Sequence, residues 1–310
     1  VRRRPSSVDL RSQVGSLRLT NPIMTASGTA GHGAELAPYL DLGSLGAVVV
    51  KSLSAEPYPG NPAPRVHGTT AGMLNSVGLQ GPGVESWLEH DLPPLLETGA
   101  RVVASIWGQR VDDFAKAATM LAHAPPEVVA IEVNVSCPNL EDRRRMFAHS
   151  PVATAEAVSA SAAGGRPRWA KLSPNVADLC EIAGAALEAG AEALTLINTV
   201  LGLAIDVESR APRLGAGGGG LSGPAIHPVA VRAVYDCHEA FPSASIVGVG
   251  GVVQGTDAIE LVMAGAAAVQ VGTAAFVDPR APARVLAGVK RWCQDHQVTR
   301  LTELIGAAHG

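Results

Sequence analysis

The chain has 310 residues, 47% hydrophobic and 17% charged, which supplies a large core and argues against disorder. Its formal net charge of −4 excludes a general electrostatic footprint for nucleic acid. No apolar run reaches the ~18 residues of a membrane span. No apolar leader core opens the sequence. The four cysteines, Cys137, Cys180, Cys237 and Cys293, form no CxxC pair, so no metal site or iron–sulfur cluster is expected within the chain. Reduced thiols in a cytoplasmic protein, bound neither to membrane nor to nucleic acid, are the expectation.

Val1–Thr20 alternates weakly and predicts a small hairpin at the bottom of a barrel. A strand over 21–28 ends in small residues and is followed by a helical stretch over Ala34–Tyr39. Ala47–Ser52 is an apolar strand carrying Lys51 near its end. A proline- and glycine-rich excursion follows, then a helix over Val84–Thr98. The alternation goes on with strands at 102–108, 129–136, 168–173, 193–199, 245–251 and 268–273. Their helices are expected at 111–123, 152–163, 176–189, 228–240, 256–264 and 281–295.

Eight strand–helix units whose strands are continuous apolar runs predict a parallel sheet closed into an α/β (β/α)8 barrel. One domain over 1–310, with the N-terminal hairpin and inserted top-face loops, is expected. An open doubly wound sheet is the competing architecture, but no Gly-x-Gly-x-x-Gly turn follows the first strand.

A barrel brings its strand ends to one face. Here those ends are Ser27, Lys51, Ser105, Asn134, Lys171, Asn198, Gly250-Gly251 and Gly272-Thr273. The two glycine turns offer bare backbone N–H groups at the seventh and eighth strands, where barrels often hold a phosphate. Gly219–Gly223 adds further donors. Asn75, in the excursion after the second strand, is suited to an amide-like substrate. Cys137 lies just past the Val129–Ser136 strand between the carboxamides of Asn134 and Asn139; on residue type alone it reads equally as a buried structural thiol or as a reactive group.

Several motifs then resemble the class 1 dihydroorotate dehydrogenases. They are Asn-Pro-Ile-Met-x-Ala-Ser-Gly at 21–28, Gly-Asn-Pro-x-Pro-Arg at 60–65 and Asn-x-x-Gly-Leu at 75–79. Asn-x-Ser-Cys-Pro-Asn at 134–139, Ile-Asn-Thr at 197–199 and Gly-Gly-Leu-Ser-Gly-Pro at 219–224 complete the set. A cysteine in the catalytic position is similar to class 1 rather than to the membrane-bound class 2. The stretches 73–83 and 197–199 are most like the heteromeric, NAD-linked subclass.

The resemblance implies an FMN-dependent barrel oxidising dihydroorotate to orotate in pyrimidine synthesis, with Cys137 as catalytic base. FAD and a [2Fe–2S] cluster would sit on a separate electron-transfer subunit, in a heterotetramer around a homodimer. It further implies that Lys51, Asn75, Ser76, Val77, Gly78, Leu79, Asn134, Asn139, Asn198 and Thr199 bind the substrate. Ala26, Ser27, Lys51, Ser52, Ser105, Asn134, Lys171, Ile197, Ser222 and Gly223 would line the flavin, and Gly250, Gly251, Gly272 and Thr273 would hold its phosphate.

The chain departs from the family pattern at Leu140–Phe147, usually glycine-rich, where Arg143-Arg144-Arg145 are expected to face solvent. Gly28–Gly33 and Lys51–Ser54 also differ from the commoner versions. Three rivals stay open. A relative of dihydropyrimidine dehydrogenase would commonly carry His where Asn139 stands, a flavin-binding protein without catalysis would be expected to have lost its site residues, and a barrel aldolase would use Lys171 as a Schiff base.

Overall fold

The structure is a computed structural model that describes residues 7–137, 140, 142 and 145–310. A hairpin of β1 (Ser12–Val14) and β2 (Leu17–Leu19) precedes β3 (Ile23–Thr25) and β4 (Val48–Val49). The first excursion carries β5 (Val66–Thr69) and β6 (Gly72–Asn75). Then come β7 (Val102–Ile106), β8 (Val128–Asn134), β9 (Arg168–Lys171) and β10 (Ala193–Leu196). A second excursion holds β11 (Val200–Gly202), β12 (Ile205–Asp206), β13 (Ala211–Pro212) and β14 (Gly219–Ser222), and β15 (Ser245–Val249) and β16 (Ala268–Val271) complete the set.

Eight strands pair in parallel in the order β3-β16-β15-β10-β9-β8-β7-β4. The parallel bridge between Met24 and Ala47 joins the two ends, with the Gly46 N–H donating to the Ile23 carbonyl at 2.8 Å. The sheet thus closes into the expected (β/α)8 barrel. Side chains alternate in β8: Ile131 and Val133 pack under the helices, while Ala130 belongs to the inner apolar cluster with Trp169, Val247 and Met24. The hairpin caps that cluster from below. Val14 and Leu19 are buried in it, and the Gly15 N–H donates to Ser245 Oγ at 2.9 Å.

The helices that follow β8 and β9 begin at side-chain caps. Ser150 Oγ accepts from the Ala153 N–H ahead of a helix over Pro151–Ala160. Asp178 caps Leu179–Glu188 by accepting from Glu181 N–H, so this helix starts three residues later than apolar periodicity suggests. The helix beginning at Val84 runs to Glu97 but widens to a π-turn over Trp87–Asp91, where the Leu92 N–H reaches back to the Trp87 carbonyl. Pro93 and Pro94 follow directly and lack the N–H groups that a regular α-turn needs there.

Ala34–Tyr39 is not a helix but a series of turns, with Ala37 N–H bonding Ala34 O and Tyr39 N–H bonding Leu36 O. Pro38 cannot donate to Ala34, so the turn does not propagate.

The two excursions, read in sequence as loops, pair with each other. They build a four-stranded antiparallel sheet in the order β11-β14-β6-β5. Among the described residues, no helix is long and apolar enough to cross a membrane.

Candidate active site

A cavity of about 640 Å³ is walled by the barrel's strand ends and by this added sheet. That volume lies within the ~300–1,000 Å³ of ligand pockets. Ala26 and Ser27 follow β3, Lys51 and Ser52 follow β4, and Asn134, Lys171 and Ile197-Asn198-Thr199 come from the ends of β8, β9 and β10. All of them line it, as do Asn75 at the end of β6 with Ser76–Leu79 after it, Ser222 at the end of β14 with Gly223 after it, and Gly250, Gly251, Gly272 and Thr273.

Among the described residues, two of the expected site residues are not on this wall. Ser105 is fully buried behind Ser52, their hydroxyls 2.9 Å apart, and its Oγ donates to Glu132 Oε1 at 3.2 Å. It therefore supports a wall residue instead of facing a ligand. Cys137 is fully buried, its thiol donating to the Gly108 carbonyl at 2.9 Å. Burial pushes that thiol up from 9.0 to about 12, against the opposing effect of the Gly108 hydrogen bond. Asn139 lies outside the described residues, as do Arg143 and Arg144, while Arg145 is exposed.

Beneath the wall runs a buried polar chain that sequence reading missed. Gln270 Nε2 donates to Glu132 Oε2 at 2.7 Å, and Lys171 Nζ stands 3.5 Å from Glu132 Oε1 and 3.1 Å from Ser27 Oγ. Ser105 links Glu132 to Ser52, and Ser52 Oγ accepts from Asn134 Nδ2 at 3.3 Å. Asn198 Nδ2 in turn donates to Asn134 Oδ1 at 3.2 Å, and Asn198 Oδ1 accepts the Thr199 N–H at 2.8 Å. The signal for Glu132 was its parity: it sits in β8 in phase with Ala130 and Asn134, the inward set. Wall residues given no role from the sequence include Asn61, which donates to Ser76 Oγ at 2.9 Å, and Asn175, which donates to the Thr199 carbonyl at 2.9 Å.

The two ends of the cavity differ chemically. At one, the N–H groups of Gly250, Gly251, Gly272 and Thr273 have no intrachain acceptor among the described residues. A side chain at Gly250 would stand 2.8 Å from Ala230 Cβ, and one at Gly251 2.6 Å from His227 Cβ, both at positive φ. Backbone alone fits there, which makes a cradle for an anion. Elsewhere on the wall stand the amides of Asn75, Asn134 and Asn198, the Thr199 hydroxyl and the Lys51 amine. Burial, followed by the charge of Arg65, pulls Lys51 below its ordinary value.

Residues 9–292 match the family model described as dihydroorotate dehydrogenase. The chain belongs to the dihydroorotate dehydrogenase family. Membership makes it an oxidoreductase and agrees with the (β/α)8 barrel. The chain is 44% identical over 300 residues to the dihydroorotate dehydrogenase B (NAD(+)) catalytic subunit of Pelobacter propionicus, covering 96% of this chain and 98% of that one. It is 48% identical over 297 residues to the catalytic subunit of the same name from Desulforudis audaxviator, covering 96% of each. The counterpart from Trichlorobacter lovleyi is 45% identical over 299 residues. The dihydropyrimidine dehydrogenase and aldolase readings are not favoured by these likenesses. Lys171, engaged by Glu132, Gln270 and Ser27, also lacks the free amine that a Schiff base requires.

Proposed function

We propose that this chain oxidises dihydroorotate to orotate with a bound FMN, as a single barrel domain that hands its electrons to a separate subunit. The observation that carries this reading is the joining, in one cavity, of an anion cradle of unpaired N–H groups with a cluster of three carboxamides and a lysine. A flavin mononucleotide needs both features: donors for a phosphate, and hydrogen-bonding groups around a polar ring system.

Gly250, Gly251, Gly272 and Thr273 would hold the phosphate, Ser222 and Gly223 flank it, and Ala26, Ser27, Ser52, Lys171 and Ile197 would line the ring system. When bound, the flavin supplies the acceptor for the hydride leaving ring carbon 6 of the substrate. Asn75, Asn134, Asn198 and Thr199, with the Ser76–Leu79 turn, would grip the substrate's ring amides and carboxylate, which offer matching donors and acceptors. The Asn198–Asn134 hydrogen bond fixes which way both amides face. Lys51 adds positive charge beside the cavity, where negative charge accumulates on reduction. Asn139 keeps its proposed substrate contact from the sequence pattern alone.

Cys137 is proposed as the base that takes the proton from carbon 5. Its neighbours Asn134 and Ser136 already line the cavity. The role requires the thiol to leave the Gly108 carbonyl and face the substrate.

The relatives' designation as catalytic subunits of an NAD(+) enzyme supports an electron-transfer partner, which would carry FAD and a [2Fe–2S] cluster. A homodimer at the centre of a heterotetramer, in the cytoplasm, completes the proposal. An anaerobic spectrum of the purified chain tests it. Bleaching of a flavin band near ~450 nm by dihydroorotate but not dihydrouracil is expected; bleaching by dihydrouracil alone, or a chain that takes up no FMN, would overturn it.

A further inference from the structure

The anion cradle has a support behind it that the sequence did not suggest. His227 opens the helix His227–Ala240 and packs behind the glycine turn that follows β15. Its Nδ1 stands 2.8 Å from the Gly250 carbonyl and its Nε2 stands 3.1 Å from Glu260 Oε2. Its side chain is only 14% exposed. A carbonyl oxygen and a carboxylate oxygen only accept hydrogen bonds, so both ring nitrogens must donate. A neutral imidazole has one N–H and would turn a lone pair against one of these oxygens; only the imidazolium satisfies both.

We infer that His227 is a positioning residue, held as a cation by Glu260, that fixes the Gly250-Gly251 turn and supplies positive charge to the phosphate end of the cavity. The charge matters because, among the described residues, Lys51 and Lys171 are the only cations on the cavity wall, and Lys171 is paired with Glu132. The cradle itself presents only neutral N–H donors. Glu260 is the charged side chain that the structure sets against the imidazole. With its side chain 59% exposed, it balances the cation from the solvent side, away from the turn.

This inference rests on the FMN reading, and the two fail differently. Binding is measured by quenching of flavin fluorescence, for FMN and for riboflavin, which lacks the phosphate. The ring of His227 is read by two-bond ¹H–¹⁵N spectra at pH 7, assigned with the His227→Gln variant. Both nitrogens are expected to be protonated in the wild type. His227→Gln is expected to weaken FMN binding about fivefold, the scale of a partly screened charge contact, with riboflavin binding unchanged. A neutral ring in the wild-type spectrum, or equal losses for both flavins, would overturn the inference while leaving the FMN reading intact. Wild-type protein that binds neither flavin would remove the reading, and the inference with it.

Discussion

Glu132 and Lys171 stand 3.5 Å apart on adjacent strands inside the barrel, with side chains 0% and 5% exposed. Barrel interiors are usually filled by apolar layers. Here the apolar layer around Trp169 and Val247 gives way to an ionic one before the cavity opens, so the polar wall rests on a charged floor. The pair holds Ser27 through Lys171 and, by way of Ser105 and Ser52, Asn134 through Glu132.

Removing one partner of a buried pair leaves the other charged and unpaired, which costs about 3–5 kcal/mol. Glu132→Ala should therefore lower unfolding stability on that scale. Replacing both together, as Glu132→Leu with Lys171→Met, should recover much of the loss while still damaging cofactor binding. Urea denaturation of the singles and the double measures this; a single variant as stable as wild type would contradict a floor role.

Asn198 orients Asn134 and accepts the Thr199 N–H. Asn198→Ala removes both bonds within a part-buried site, and each buried polar group left unpaired costs about 1–3 kcal/mol. Orotate affinity, followed by the shift in the flavin spectrum, is expected to fall about 10- to 100-fold. FMN content should stay near one per chain, separating a substrate contact from general collapse of the site.

Gly250 has φ +139°, and an added Cβ would lie 2.8 Å from Ala230 Cβ, inside the helix packed behind the turn. Gly250→Ala should push the turn off its position and cut FMN occupancy more than tenfold, beyond ~1.4 kcal/mol of lost binding. Gly165→Ala, away from the cavity wall, is the control. It also has positive φ, but its Cβ would meet nothing within 4 Å, so it incurs only the conformational penalty. Occupancy measured on both variants from the 450 nm absorbance distinguishes the cradle from simple backbone strain.

The barrel was legible because most of its parallel strands are apolar runs alternating with helical stretches, and their ends carry a polar residue or a glycine turn. Legibility failed where contacts, not local pattern, decide. The pairing of β14 with β6 joins residues some 145 positions apart, as in the Asn75 contact with the Gly220 carbonyl, and nothing local announces it. Ser105 stands one residue short of its strand's end and is fully buried against Ser52, whereas Asn134 ends its strand on the cavity wall. Glu132 stands in the strand that leads into the 134–139 motif, where the apolar run Val129, Ile131, Val133 and Val135 masks the inward-facing even positions. At Ala34–Tyr39 a single proline outweighed favourable helix formers.

Cys137 combines a proposed chemical role with a thiol pushed up to about 12 by burial. The folded value lies above the unfolded one, so the neutral thiol stabilises the fold fully below about pH 9, and this contribution is lost as pH rises towards about 12. Wild-type stability should therefore fall across that alkaline window more steeply than that of Cys137→Ala, which has no thiol to ionise, although the variant starts lower for want of the Gly108 hydrogen bond. Catalysis should carry the opposite slope. A base works as thiolate, so the rate of flavin reduction by dihydroorotate should climb with pH until unfolding intervenes. Cys137→Ala should lose at least ~100-fold in that rate with orotate affinity retained, the usual scale of losing a general base. Cys137→Ser should fall between the two, with its pH profile displaced upwards. Stopped-flow reduction of the three proteins from pH 6 to 10 decides the matter: near-normal reduction by Cys137→Ala would leave the thiol as a core residue, held by Gly108 and silent in the chemistry.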